Sequence, residues 1–448
     1  MQSIRTSFLF LVVLLVWGCF DAPSASAQKP PTLRISQSTP GELVAPANDP
    51  IPIVQDTITY AAPAESQRIW DPWDGAFWVQ AEHLLWVTKG MNVPPLITEA
   101  PRGESGELGD PNTTTVFGNQ KVFDDFRQGG RFRIGTWLGH SRWGIEGEYF
   151  FLENDSMTVI EGSGGHDRTV SRPFFDAANN LAPRAELVGF LGPGGVGDLC
   201  GSIRVDLETE FQGAGARLRT CGWQCTDPCG ARSRLDWTLG YRFLRMDEKI
   251  HIHEDLTSLD PAVPNTAFDV FDQFDTENRF HGVEVGFNWS RQRARWSLEA
   301  IGRVAIGATS QNVRINGFTT ITNTATGAAQ TSTVAVPADG AGGTLTGGGL
   351  LAQRTNIGEY DREQFSVVPE LTLNLGYHVN SRLKAHLGYN FLMWSSVVRP
   401  GDQIDLAVNP NLIPDEPLPF AGLNRPAFDF DETTFWAQGV NAGLTYVW

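Results

Sequence analysis

The last sixteen residues, 433 to 448, read TTFWAQGVNAGLTYVW and set the pattern for the whole chain. Counting back by twos from Trp448 gives Tyr446, Leu444, Ala442, Val440, Gln438 and Trp436. The positions between are Val447, Thr445, Gly443, Asn441, Gly439 and Ala437. One face is apolar with aromatics at both ends; the other is small and polar. A period of two predicts a strand, and an apolar stripe of roughly ten residues rimmed by aromatics predicts one that crosses a bilayer. Ordinary strands run nearer five or six residues. In lipid such a strand leaves its backbone groups unpaired unless its neighbours complete a closed barrel.

The alternation recurs upstream. A strand over 75 to 88 places Phe77, Val79, Ala81, Leu85 and Val87 on one face, with Gln80 and Glu82 opposite. Over 129 to 139, Phe132, Ile134, Thr136 and Leu138 oppose Arg131 and Arg133, and over 142 to 152, Trp143, Ile145, Tyr149 and Phe151 oppose Glu146 and Glu148. A fourth strand, 202 to 218, alternates Ile203, Val205, Leu207 and Phe211 with Arg204, Asp206, Glu208 and Glu210, the charged set being assigned to the lumen. Further strands are expected from 234 onward through KIHIHED, then over 267 to 290, 295 to 307, 363 to 378, 382 to 397 and 433 to 448.

The connections after the odd-numbered strands are mostly long and those after the even-numbered ones short. That is the arrangement of an antiparallel transmembrane β-barrel with short periplasmic turns, long outer loops, an even strand number and both termini inside. Ten strands satisfy it; twelve become possible if 248 to 255 and 310 to 318 pair separately.

Composition narrows the class. With 47 Gly, 14 Trp and 27 Phe, and no mature run of the roughly 18 apolar residues a membrane helix requires, an all-β membrane protein is favoured over a helical one. The amino terminus reads as a secretory signal over 1 to 27: Arg5, the apolar run 8 to 16, then Ala25-Ser26-Ala27. Lipoprotein processing at Cys19 competes, but Trp17 fits it poorly. Residues 28 to 70, rich in Pro, Ala, Ser and Thr, read as a flexible periplasmic linker, and 71 to 448 as the outer-membrane barrel. The net charge of −17 argues against nucleic acid as a partner. The expected partners are outer-membrane lipid, small solutes, and barrel-assembly machinery engaging the C-terminal strand.

Several stretches resemble the putative beta-barrel porins of planctomycete-type bacteria. They are AEHLLWVTKGMNVPPLITEAP (81 to 101), LGYRFLRMDEKIHIHEDLT (239 to 257), FDTENRFHGVEVGF (274 to 287) and the long run from GLLAQRTNIGEYDREQF through HLGYNFLMWSSVVRPGDQID (349 to 405). The resemblance implies an outer-membrane barrel and carries over no catalytic, cofactor or ligand residues.

The inward charges decide the kind of lumen. On the acidic side they are Glu82, Glu146, Glu148, Asp206, Glu208, Glu210, Asp236, Glu284, Glu299 and Glu370; on the basic side, Arg131, Arg133, Arg204, Arg234, Arg242, Arg295, Arg303 and Lys384. So near a balance is compatible with a wet channel and with a self-neutralised core, because a barrel of this size is narrow. The acid excess falls in the loop 398 to 432, at Asp402, Asp405, Asp415, Glu416, Asp429, Asp431 and Glu432, against Arg399 and Arg425. A negative mouth of this kind predicts mild cation preference.

Cys200, Cys221, Cys225 and Cys229 are disulfide candidates in an exported chain. Trp296, Trp436, Tyr446 and Trp448 are the expected membrane-interface aromatics. His251, His253 and Asp255 share one face of an extended strand, but no third strong metal ligand is assigned and a polar strand extension is the plainer reading. GPGGVG at 192 to 197 precedes a strand, not a helix, so it lacks the helix terminus that would hold a pyrophosphate. GxSxG and HExxH are absent, and no enzyme is expected. The leading function is a porin for passive diffusion of small solutes; the alternative is a structural or adhesive envelope protein whose plugged barrel anchors surface loops.

Overall fold

The computed structural model describes residues 77–138, 142–162, 168–192, 197–227, 230–333, 348–414 and 422–448; the expected leader and linker lie outside them. Ten long strands dominate: β1 (Phe77–Thr88), β2 (Phe126–Trp137), β3 (Trp143–Gly162), β4 (Leu199–Thr226), β5 (Arg232–Ser258), β6 (Thr266–Arg293), β7 (Trp296–Asn323), β8 (Gly358–His378), β9 (Leu383–Val398) and β10 (Glu432–Val447). Each pairs antiparallel with its neighbours in sequence. The ring closes where β10 meets β1, from Trp78 opposite Val447 to Thr88 opposite Ala437. The C-terminal stripe is therefore the seam of the barrel.

Ten strands form the ring, as the loop pattern predicts. Residues 248 to 255 and 310 to 318 are continuous parts of β5 and β7, so the twelve-stranded alternative falls away. What the sequence understated is length. β4, β6 and β7 have 28 residues each, whereas β1 and β2 have 12. On β10 the outward stripe from Tyr446 to Trp436 spans ten residues, which at about 3.3 Å per residue and a tilt near 40° gives about 25 Å, the height of an apolar membrane band. The taller strands must project well beyond it on the loop side.

The projection is inverted relative to the membrane zone. On β5, Trp237, Leu239 and Tyr241 are exposed while Asp236 and Arg242 are buried; from Leu244 upward the buried set becomes Leu244, Met246, Ile250 and Ile252, and the outward set becomes Arg245, Asp247, Lys249 and His251. The period of two never breaks. Only the solvent changes, from hydrocarbon below to water above, and the apolar side chains turn from the outside to the inside accordingly.

Loop segments fill the tall half. Ile97–Pro101, Thr114–Phe117, Arg168–Asp176, Ala182–Gly189 and Ala407–Val408, drawn from three different loops, form a small sheet that caps the ring. Met91, Leu96, Ile97, Phe117, Val170 and Phe174 pack there with Ile203, Val205, Leu207, Ile250, Ile252, Phe274 and Val313 of the barrel wall in one apolar core. Two glycines permit the close approach: a Cβ on Gly401 would sit 1.9 Å from the Asn92 carbonyl oxygen, and Gly118 holds φ at +99° with the Pro94 carbonyl beside it.

Candidate functional site

The interior of the ring is the site on which any transport would depend, and it is built in layers. At the turn end lies a recess of about 80 Å³ lined by Trp78, Arg219, Glu299, His378 and Lys384 among others. Directly above it, inward positions of eight strands meet in an ion-pair lattice. Glu148 of β3 contacts Arg133 of β2 at 2.6 Å, Arg242 of β5 at 2.7 Å, Arg303 of β7 at 3.1 Å and Arg217 of β4 at 3.5 Å. Arg217 also reaches Glu146 at 2.8 Å and Glu284 of β6 at 3.0 Å. Arg242 reaches Glu370 of β8 at 3.1 Å, and Arg131 joins Glu82 and Glu370 at 3.6 Å each. Asp236 binds Arg219 at 2.7 Å and Arg234 at 2.6 Å.

Glu82 also accepts from Asn441 at 3.0 Å and meets His386 Nε2 at 2.9 Å, tying the β10 seam into the same lattice. With Glu299 and Lys384, 3.9 Å apart, seven carboxylates face eight cationic groups. Each charge lies close to opposite ones, so the layer holds itself together without needing ions from solution.

An aromatic layer follows. Trp86, Phe150, Phe211, Phe280, Trp394 and Phe435 are all buried to within 2% exposure. Ring centroids lie 5.7 Å apart for Trp86 and Phe150, 5.4 Å for Phe150 and Phe211, and 5.0 Å for Phe211 and Phe435. Arg131 stacks over Trp86 at 5.2 Å and so joins the two layers. Above the rings, loop and wall are clasped. The Asn278 side chain donates to the Val398 carbonyl, and the Val398 N–H donates back, both at 2.8 Å. Arg399 meets Glu248 at 2.8 Å and donates to the Lys89 carbonyl at 2.7 Å.

Higher still, Asp272 accepts from the backbone N–H groups of Leu350, Leu351 and Ala352 and from Arg172 at 2.6 Å. Arg172 also binds Glu254. Burial and the neighbouring Glu254 push the Glu186 carboxyl up to about 8, with Asp272 adding to the effect and Arg172 opposing it.

The sequence-assigned lumen residues divide clearly. Glu82, Arg131, Arg133, Glu146, Glu148, Arg234, Asp236, Arg242, Glu284, Glu299, Arg303, Glu370 and Lys384 all face the interior. Arg204, Asp206, Glu208 and Glu210 do not. They point outward on β4, Arg204 paired with Asp206 at 2.7 Å, while Ile203, Val205, Leu207 and Phe211 occupy the inside. Their alternation matches a strand wholly in lipid, but this part of β4 stands in water above the membrane zone. Arg295 lies on the exposed β6–β7 turn, its guanidinium against the outward Tyr377 hydroxyl at 3.4 Å. Arg217, Arg219, Glu248 and His386 are interior groups that sequence reading missed; carrying the β4 parity down past Phe211 with its sense reversed would have found the first two.

The acidic loop is largely tied down. Asp405 pairs with Arg425 at 2.6 Å and Glu432 with Arg362 at 3.1 Å, while Asp402 is half-buried beside Arg399 and burial raises its pKa. Asp429 and Asp431 are exposed, and Asp415 and Glu416 lie outside the described residues. Cys200, Cys221 and Cys225 are free thiols. Cys200 sits at the loop end of β4 and the other two at the turn end, so Cys200 cannot bridge to them, and Cys221 and Cys225, four apart along one strand, are beyond disulfide reach of each other. Cys229 lies outside the described residues, as does most of GPGGVG. Trp296, Tyr446 and Trp448 are exposed on the outer face at the turn end, and Trp436 is partly exposed at the other rim.

A closed ring of ten antiparallel strands, apolar outside over one membrane thickness and polar within, defines a transmembrane β-barrel of the outer-membrane kind. Residues 78–448 match the family described as Putative beta barrel porin-7, and the chain belongs to that family. No curated protein matches it. Among solved structures it is similar to the outer membrane protease OmpT from Escherichia coli, with 8% identity over 83% of this chain and 96% of that one and a TM-score of 0.36. It is also similar to the outer membrane channel DcaP of Acinetobacter baumannii, with 10% identity over 82% and 97% and a TM-score of 0.14. The P. putida toluene transporter TodX matches with 8% identity over 83% and 89% and a TM-score of 0.13.

Proposed function

We infer that this protein is a closed outer-membrane anchor that holds a folded cap at the cell surface, a structural or adhesive component of the envelope. The observation that supports it is the consecutive filling of the interior by the ion-pair lattice, the aromatic layer and the clasped loops. An ion crossing it would have to displace buried guanidinium–carboxylate pairs and then a ring of side chains that offers it no ligand. The reading is non-catalytic: the buried acids and bases are taken up by one another. Lipid contacts fall to the outward stripes, and the C-terminal strand, as the last to close the ring, is the segment for assembly machinery to engage.

The family description favours a second reading, a porin passing small solutes with mild cation preference. Planar-bilayer recording separates the two. Folded, inserted protein should give no discrete conductance steps; steps would overturn the anchor reading, and their reversal potential under a salt gradient would then report the ion preferred.

A further inference from the structure

The outward face of the tall wall carries a constellation that a sealed anchor does not use. β5 and β6 run antiparallel with Asp255 directly opposite Asp269, and His253 lies two residues along on the same face. One ligand-capable atom from each of the three lies within 4.8 Å of the others. His253 Nε2 meets Asp269 Oδ1 at 2.8 Å, while Asp255 forms no ion pair among the described residues. Carboxylates placed directly opposite on an antiparallel ladder repel one another. Arg204, opposite His253 on β4, is the cation nearest in register, and Asp206 holds its guanidinium.

One imidazole nitrogen and two carboxylate oxygens on adjacent, rigidly registered strands are a donor set for a first-row divalent ion, with coordination positions left open to water or an outside ligand. We propose that His253, Asp255 and Asp269 form a surface site for such a cation, Zn²⁺ being the ion to test, which clasps β5 to β6 above the bilayer. Binding there relieves the Asp255–Asp269 repulsion and replaces the hydrogen bond between His253 and Asp269 with shared coordination. The site lies on the outer wall and does not depend on whether the lumen is closed.

The test is Zn²⁺ titration calorimetry on the full protein, extracted folded from the outer membrane of an expression host. Cys200, Cys221, Cys225 and Cys229 are changed to Ser so that thiolates cannot compete. One saturable equivalent is expected, weakened at least about 10-fold in His253→Ala and in Asp255→Asn and unchanged in His251→Ala. These positions are on the surface, and retained mobility shifts between heated and unheated gel samples confirm that each variant is folded. Absence of saturable uptake, or uptake that follows His251 and not His253, overturns the assignment.

Discussion

Glu148 shows what one residue does in this fold. Its carboxylate lies between Arg133, Arg217, Arg242 and Arg303, on four different strands, and is shielded from water. Removing it strips Arg133 of its ion-pair partner and leaves Arg217, Arg242 and Arg303 to share the remaining carboxylates in a buried layer, so Glu148→Ala should cost about 3–5 kcal/mol. Urea unfolding followed by tryptophan fluorescence measures this; a loss under about 1 kcal/mol would mean that water reaches the lattice and the lumen is wet. Glu186 makes the opposite case. Its pKa is pushed up to about 8 in the fold against an ordinary value of 4.5, so the folded state holds a proton that the unfolded chain releases. The associated stability is complete below pH 4.5 and is lost as the pH rises toward 8. Hydrogen exchange in Ala182–Gly189 should therefore quicken between pH 5 and pH 9 beyond its intrinsic rate, and Glu186→Gln should flatten the trend. A flat wild-type profile would contradict this account of the cap.

At the scale of the element, the instructive strands are β4 and β5. Their alternation was legible in the sequence, and so were the ten strands, the closing seam and most of the lumen charges near the turn end, because in those stretches apolar mostly means outward. On β4 the rule inverts above Phe211, and nothing in a period of two announces which side is wet. Ile203, Val205 and Leu207 look like a lipid stripe and are a water-shielded core. The clue was length: an alternation much longer than ten residues cannot all lie in one bilayer. The loop segments that fill the tall half were not legible, since short stretches such as Ile97 with Phe117 and Val170 with Glu99 pair across intervening loop and leave no local period. The zone boundary is testable. In chains retaining one tryptophan, Trp237, Trp296 or Trp448 should be strongly quenched by lipids brominated along the acyl chain, and Trp86 or Trp394 should not. Quenching at Trp394 would place lipid where the structure has the aromatic layer.

The barrel formed by the described residues is cut obliquely. Strands of 28 residues reach about 70 Å along the axis at a tilt near 40°, and a membrane band near 25 Å leaves about 45 Å of wall standing in water. Strands of 12 residues on the other side reach about 30 Å and barely clear the band. The loops that rise from the low side lean across and pack against the inside of the high one, so the cap and the high wall bury each other's apolar faces. That mutual dependence explains why an exposed inner wall of Ile, Val and Leu is tolerated at all: without the loops it would be an apolar surface open to solvent. It also fixes a profile that neutron reflectometry on a supported bilayer can read. A dense protein layer of about 45 Å should stand beyond the hydrocarbon on the loop side, with no barrel wall of comparable height on the turn side. A layer under about 20 Å would mean that the upper strands lie in lipid, and it would restore Arg204, Asp206, Glu208 and Glu210 to the lumen.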